Sequence, residues 1–324
     1  MYRIDLHCDT VGKLAGRVNR YCLKGNLMEN PFGVDVKRLE KTGGGIQCFS
    51  TFFLTGHVPS SFREDYAYQK AKKLISWYHR DRNLTQGRLQ PIRTAEDLEY
   101  CFKHRVSGGL LTLEDAVPMA GDLERLREFY DLGIRLITLT WNYENALGYP
   151  NSQNASVMMR GLKPAGREMV EEMNRLGIII DVSHLSDGGF WDVARISKKP
   201  FIASHSNARA VTEHPRNLTD RMIRTIAESG GVIGINFCPR FLNEKGKVSR
   251  IRDMVRHIHH IYQTGGEDVL AIGTDLDGIT GKLEINSCEK LEHLEDALKK
   301  RHMSGRILEK MWSRNAKRVL KEIL

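Results

Sequence analysis

No run of apolar residues in this chain approaches the roughly 18–20 that a membrane-spanning helix requires. The N-terminal Met1-Tyr2-Arg3-Ile4-Asp5 offers no apolar signal core, so a cytoplasmic protein with no membrane association is expected. The 6 cysteines form no CxxC pair and no short secreted framework, and are expected to be free, buried thiols. Without a secretory route, the N-x-S/T sequons at Asn83, Asn154 and Asn217 carry no meaning. A basic arm and an aromatic platform are both missing. The net charge of +9 is scattered along the chain among acids, which argues against a nucleic-acid partner and leaves a mildly positive surface suited to anionic ligands. Gly43-Gly44-Gly45 has no following Lys-Ser/Thr and reads as a turn rather than a phosphate loop. Internal repeats and low-complexity linkers are also lacking, so residues 1–324 are expected to form one domain.

What the chain does have is an alternation of short apolar runs with amphipathic segments. Strands are expected at Tyr2–Asp9, Ile46–Phe53, Gly109–Glu114, Ile134–Trp141, Ile178–Ser183, Pro200–Ser204, Gly231–Phe237 and Leu270–Asp275. Several are almost wholly apolar, as strands buried on both faces are. Helices are expected at Tyr66–Arg80, Leu123–Leu132, Ala165–Leu176, Asp220–Ser229 and Ile251–Tyr262, with stop signals at Gly133, Gly177 and Gly230-Gly231 and an N-cap at Thr219. Eight strands alternating with helices suggest an α/β fold of the (β/α)8 TIM-barrel type, with extra helix over Ser304–Leu324. A doubly wound open sheet is the alternative, although no G-x-G-x-x-G follows the first strand.

In such a barrel the C-terminal strand ends carry the chemistry. His7 and Asp9 are two residues apart on the first strand and face the same way, whereas Cys8 faces oppositely, so His-Cys-Asp is not a single site. Glu114, His184, His205 and Asp275 end four other strands. Any one of them could cap a helix or bond a loop. Three imidazoles and three carboxylates ending five strands instead suit Zn²⁺ or a similar divalent ion, and one bridging carboxylate would allow a two-metal hydrolase.

These residues resemble the membrane (renal) dipeptidase family, binuclear zinc dipeptidases on an amidohydrolase-type barrel. The resemblance runs from Asp5-Leu6-His7-Cys8-Asp9 to Asn315. It passes through Glu114, Leu139-Thr140-Trp141-Asn142, Asp181-Val182-Ser183-His184, Ala203-Ser204-His205-Ser206, Arg216-Asn217-Leu218-Thr219-Asp220, Gly231 to Asn236-Phe237, and Gly273-Thr274-Asp275-Leu276-Asp277-Gly278. The opening His-x-Asp, where most amidohydrolases carry His-x-His, makes it specific. The resemblance implies two Zn²⁺ per chain: His7 and Asp9 on the first, His184 and His205 on the second, and Glu114 bridging. It further implies a shared water or hydroxide made acidic by two cations, Asp275 as the proton-handling carboxylate, and Arg216 as the holder of the substrate's C-terminal carboxylate. The expected substrate is a dipeptide, with a D-residue tolerated at its C-terminal side. Another small carboxylate-bearing amide, such as a lactam or an N-acyl amino acid, is the enzymatic alternative. A catalytically dead ligand-binding relative is disfavoured by the intact site residues, and a homodimer is common among relatives.

Two substrate-pocket positions depart from the family pattern. Trp141 stands where a His is common; indole donates one hydrogen bond but neither accepts a proton nor carries charge. Cys238 stands where better-known relatives carry Tyr. Away from these motifs, the tract His257, His259 and His260 is expected on a solvated helix face. His214 is expected in a loop, with a supporting role as the alternative, and Asp277 is expected to shape the turn after Asp275.

Overall fold

The computed structural model describes residues 1–17 and 25–324; Cys22, one of the expected free thiols, lies outside the described residues. Among the described residues ten strands occur in the order β1 (Arg3–Cys8), β2 (Gly45–Ser50), β3 (Leu89–Pro91), β4 (Ser107–Glu114), β5 (Ile134–Thr138), β6 (Ile179–Asp181), β7 (Ile233–Ile235), β8 (Val248–Ser249), β9 (Leu270–Ile272) and β10 (Lys282–Leu283). The main sheet is parallel throughout and runs β6-β5-β4-β2-β1-β9-β7. The parallel bridges Asp181↔Ile202 and Ala203↔Ile233 join its two ends through the segment around 202–203. The ring therefore closes with eight members, each overlapping one of the expected strand regions, and the open-sheet alternative is excluded. The short strands were not expected. β3 pairs with the first half of β4, on the edge that β5 takes over in the second half, and β8 pairs with β10 beyond the ring's C-terminal rim.

The lower ring is filled by side chains from every member: Ile4, Ile46, Leu110, Leu136, Ile179, Ile202, Val232 and Ala271 are buried in one cluster. Ala316, Val319, Leu320 and Ile323 of the C-terminal helix Asn315–Ile323 belong to the same cluster and close that end. Asn315 ties this helix down, donating to the carbonyls of Glu267 and Leu270. Amphipathic helices cover the outside, among them Ser60–Asn83, Leu123–Asp131, Pro164–Leu176, Asp220–Glu228 and Ile251–Gly265. Thr219 accepts from Met222 N as the expected N-cap, and Gly177 ends its helix in the left-handed conformation. The five described cysteines are free, and only Cys238 is partly exposed. No described helix is long and apolar enough to cross a membrane.

Backbone rather than side chain fills the ring higher up, beside the segment that carries His205. A Cβ at Gly234 would lie 1.9 Å from the Ser204 carbonyl oxygen, and one at Gly273 only 1.7 Å from it. Two strands must therefore carry glycine where the third leans inward. Gly273→Ala is expected to cost at least about 3 kcal/mol or to abolish soluble expression. Gly305→Ala, where nothing lies within 4 Å of the added atom, is expected to change stability by less than about 1 kcal/mol. Urea unfolding midpoints check both; equal midpoints would show that this contact relaxes freely.

Candidate metal centre

Alternation along β1 alone would not place His7 in the ring interior above Ile4 and Leu6. The β1–β2 register shifts between Asp5 and Cys8, so one extra residue reverses the facing. His7 and Asp9 then both face the mouth of the ring, while Cys8 packs in the outer core. Glu114 arrives at the end of β4, His184 and Asp275 three residues after β6 and β9, and His205 just after the 203 bridge.

These six side chains meet. His7 Nε2 lies 3.5 Å from Asp9 Oδ2, 3.5 Å from Glu114 Oε2 and 3.9 Å from Asp275 Oδ1. The other oxygen of Glu114, Oε1, lies 3.0 Å from His184 Nε2 and 3.5 Å from His205 Nε2, and the two Nε2 atoms are 3.0 Å apart. Glu114 thus presents one oxygen to each half of the cluster. Buried His7 Nε2 and Asp9 Oδ1 have no hydrogen-bond partner, which is costly unless something else satisfies them. A divalent cation would satisfy both, and this mixture of imidazole nitrogens and carboxylate oxygens is the donor set of zinc-like ions. Ligand atoms of His7, Glu114 and His205, and of His7, Asp9 and Asp275, lie within 4.8 Å of one another.

The electrostatics agree. Burial, with Arg216 nearby, lowers His184 to about 4, and burial with His7 nearby holds His205 well below its ordinary value. Burial opposes ionisation of Glu114, but His7, His184 and His205 together hold its carboxyl well below the usual range. Neutral His184 and His205 facing ionised Glu114 are in the protonation states that bind a cation; His7, which burial lowers but Glu114 and Asp9 together raise well above its ordinary value, has to release its proton to join them. Burial first, then Asp9 and Glu114, push Asp275 up to about 8 against the pull of His7.

A second layer aims these groups. Asp181, wholly buried, accepts from Thr138 Oγ1 (2.6 Å), Ser183 N (2.9 Å), Ser204 N (2.8 Å) and Ser204 Oγ (2.6 Å). Ser204 spends its one hydroxyl proton on Asp181, so at 2.7 Å it accepts from His205 Nδ1 and leaves a lone pair on Nε2. Asn142 Oδ1 lies 3.1 Å from His184 Nδ1, and Asn236 Nδ2 donates to Asp275 Oδ2 at 2.9 Å. His184 and Asp275 both take positive φ, 69° and 60°.

Above the cluster opens a cleft of about 650 Å³ lined by Asp9, Glu114, His184, Asp275, Arg216, Trp141 and Cys238, with His7 and His205 deeper. Arg216 is buried, not a surface charge: Nη1 donates to Ser206 Oγ, Nη2 donates to the His205 carbonyl, and Nε has no partner. Trp141 stacks against Phe52 at 4.9 Å, with its ring 6.2 Å from that of His184. Burial pushes the Cys238 thiol up to about 11, so it is neutral.

The histidine tract departs from expectation. His257 is wholly buried, with Nδ1 accepting from Ala208 N and Nε2 3.1 Å from the Leu242 carbonyl, because its helix turns this position toward the 208–212 loop. His260 bonds Asp220, and no member of the tract joins the metal cluster. His214 accepts from Arg216 N and lines the cleft, the supporting alternative. Asp277 accepts from Thr10 Oγ1 and Gly33 N and is structural. Asp181, Ser204, Asn236, Asn142 and Phe52 were not foreseen as site residues. The signals available were an acid ending the apolar run Ile178-Ile179-Ile180 and the place of Asp181, Ser204, Asn142 and Asn236 within the matching motifs.

Across residues 1–324 the chain matches the family described as membrane dipeptidase (peptidase family M19). It is 29% identical to the dipeptidase tcpJ of Claviceps purpurea, over 90% of this chain and 69% of that protein. An uncharacterized dipeptidase of Schizosaccharomyces pombe, C3A11.10c, is 30% identical over 85% of this chain and 69% of its own length. Among solved structures, a metallo peptidase from Rhodobacter sphaeroides, liganded with a phosphinate mimic of the dipeptide L-Ala-D-Ala, superposes with a TM-score of 0.87. It is 28% identical, covering 100% of this chain and 99% of that one.

Ser204→Ala removes the acceptor of His205 Nδ1. The expected result is divalent-ion affinity lowered roughly 10–100-fold with the fold retained, measured by competition with a chromophoric chelator and by circular dichroism. Unchanged affinity would show that His205 needs no such support.

Proposed function

The chain belongs to the membrane dipeptidase family, and on that premise we propose that it hydrolyses dipeptides with two zinc ions held by His7, Asp9, Glu114, His184 and His205. The observation that carries this reading is the position of Glu114, with one oxygen toward His7 and the other toward His184 and His205. The L-Ala-D-Ala mimic bound by the Rhodobacter sphaeroides relative supports a dipeptide substrate with a D-residue accepted at its C-terminal side.

Two divalent ions at this cluster supply Lewis-acid polarisation of the scissile carbonyl and an acidified water. The protein's own groups do the rest. Asp275 faces the cluster through Oδ1 while Asn236 holds Oδ2, which leaves one oxygen to take the proton of the attacking water and pass it to the departing amine. Arg216, with its Nε unpartnered, holds the carboxylate beyond the scissile bond. Trp141 and Phe52 wall the site without titrating.

Elemental analysis of dialysed protein is expected to find close to two zinc ions per chain. Asp275→Asn should keep fold and metal while losing roughly 10²–10⁴-fold in kcat; Glu114→Gln should lose metal as well. Near-wild-type turnover in Asp275→Asn would assign the proton to another group. A dipeptide should exceed its C-terminal amide by about 10²-fold in kcat/KM, and Arg216→Met should erase much of that ratio. Equal rates for acid and amide in the wild type would remove carboxylate recognition and favour an amidohydrolase acting on other small amides.

A further inference from the structure

We propose that the cleft selects dipeptides whose C-terminal residue bears an acidic side chain, which Arg240 and Lys247 hold beside the α-carboxylate bound by Arg216; this rests on the dipeptidase reading above. Charge in the cleft is segregated. Its acids, Asp9, Glu114 and Asp275, all belong to the metal cluster, and its cations, Arg216, Arg240 and Lys247, line it elsewhere. Arg216 is committed: it is buried, two of its nitrogens are bonded, and the α-carboxylate takes its remaining capacity. Arg240 and Lys247 are exposed, and among the described residues neither makes an ion pair or a side-chain hydrogen bond.

Their backbone holds them near Arg216. Arg240 lies on the short helix Pro239–Leu242, next to Phe241, whose ring meets the Arg216 guanidinium at 5.3 Å and the His214 ring at 4.7 Å. Burial, with the charges of Arg216 and Arg240, lowers His214 to about 4, so it adds no cation at neutral pH. Lys247 immediately precedes β8, which β10 braces, and Asn243 Nδ2 bonds the Val248 carbonyl across the same loop. An α-carboxylate and an Asp or Glu side chain branch from the same Cα. A substrate anchored on Arg216 therefore presents a second anion where two unpaired cations stand. Phe52 and Trp141, in the same lining, offer a substrate apolar surface and no charge.

The test is kcat/KM of the zinc-loaded enzyme for Ala-Asp, Ala-Asn and Ala-Ala, with L and D second residues, at low and high salt. Calorimetric binding of the same dipeptides to Asp275→Asn gives a readout independent of turnover. Asp is expected to exceed its near-isostere Asn by about tenfold in one configuration. Added salt should shrink the ratio, because both cations are exposed, and Arg240→Gln/Lys247→Gln should bring it close to one. Cleavage of all three dipeptides at equal rates in low salt overturns this inference and leaves the dipeptidase reading standing. A preference that survives the double variant overturns the assignment to these two residues. Hydrolysis of no dipeptide defeats the proposed function and this inference with it.

Discussion

An ionised carboxylate taken out of water is costly unless its oxygens are fully hydrogen-bonded, and Asp181 meets that condition only when three neighbouring ring members are in register. Its donors come from Thr138 on β5, Ser183 after β6, and Ser204 beyond the 202–203 bridge. A slip of one residue in any of them would strand the charge. The same bonds decide the tautomer of His205, because the hydroxyl that satisfies Asp181 then has only lone pairs to offer Nδ1. Ser183 also accepts from the backbone N of His205, so the main chain that carries the imidazole is held as well. Register, tautomer and ligand direction follow from a single buried acid.

The site around it is locally unfavourable, and the rest of the ring sustains it. Asp115, His184, Asp275 and Asp277 all adopt left-handed backbone, a conformation that costs about 1–3 kcal/mol each for residues other than glycine. Three of them follow a ring strand directly or within a few residues, where the chain must turn sharply to aim a side chain back over the mouth. His7 and Asp9 carry buried atoms without hydrogen bonds. Opposing this are the apolar lower ring and the C-terminal helix that seals it. The division into a filled, apolar base and a strained, polar mouth is what allows a binding site on a stable scaffold.

The eight ring members were legible because strands buried on both faces are written as short, nearly unbroken apolar runs. Polar residues ending such runs stand out, which is why His7, Asp9, Glu114, His184, His205 and Asp275 could be named from position. Arg216 could not be placed in the same way. It reaches the site through a loop folded by the Ala208↔Leu218 bridge and the Arg209–Asp187 ion pair, neither of which any periodicity encodes. The two-residue strands β8 and β10 are too short to leave a pattern. The expectation for His257 failed because a helix turns its flanks toward whatever packs beside it, and here the 208–212 loop offers a donor and Leu242 a carbonyl. The extra residue in β1, between Asp5 and Cys8, escaped notice because no change in the apolar pattern marks it.

Trp141 and Cys238 acquire a consistent meaning once placed in the cleft. Indole and a thiol held near 11 are both neutral at the pH where the proposed reaction would run, and neither can take a proton from an acidified water. In the proposed mechanism proton transfer therefore falls on Asp275, whose own acidity is set by burial first and then by His7, Asp9 and Glu114. On the same proposal, recognition of charge falls on Arg216, Arg240 and Lys247, because Phe52 and Trp141 offer surface but no ion. In the proposed reaction Arg216 would orient the substrate by its carboxylate, because cations bound at the cluster would offset the charge of its acids. With the carboxylate end so fixed, the apolar wall of Phe52 and Trp141 is free to vary without disturbing the ligands below.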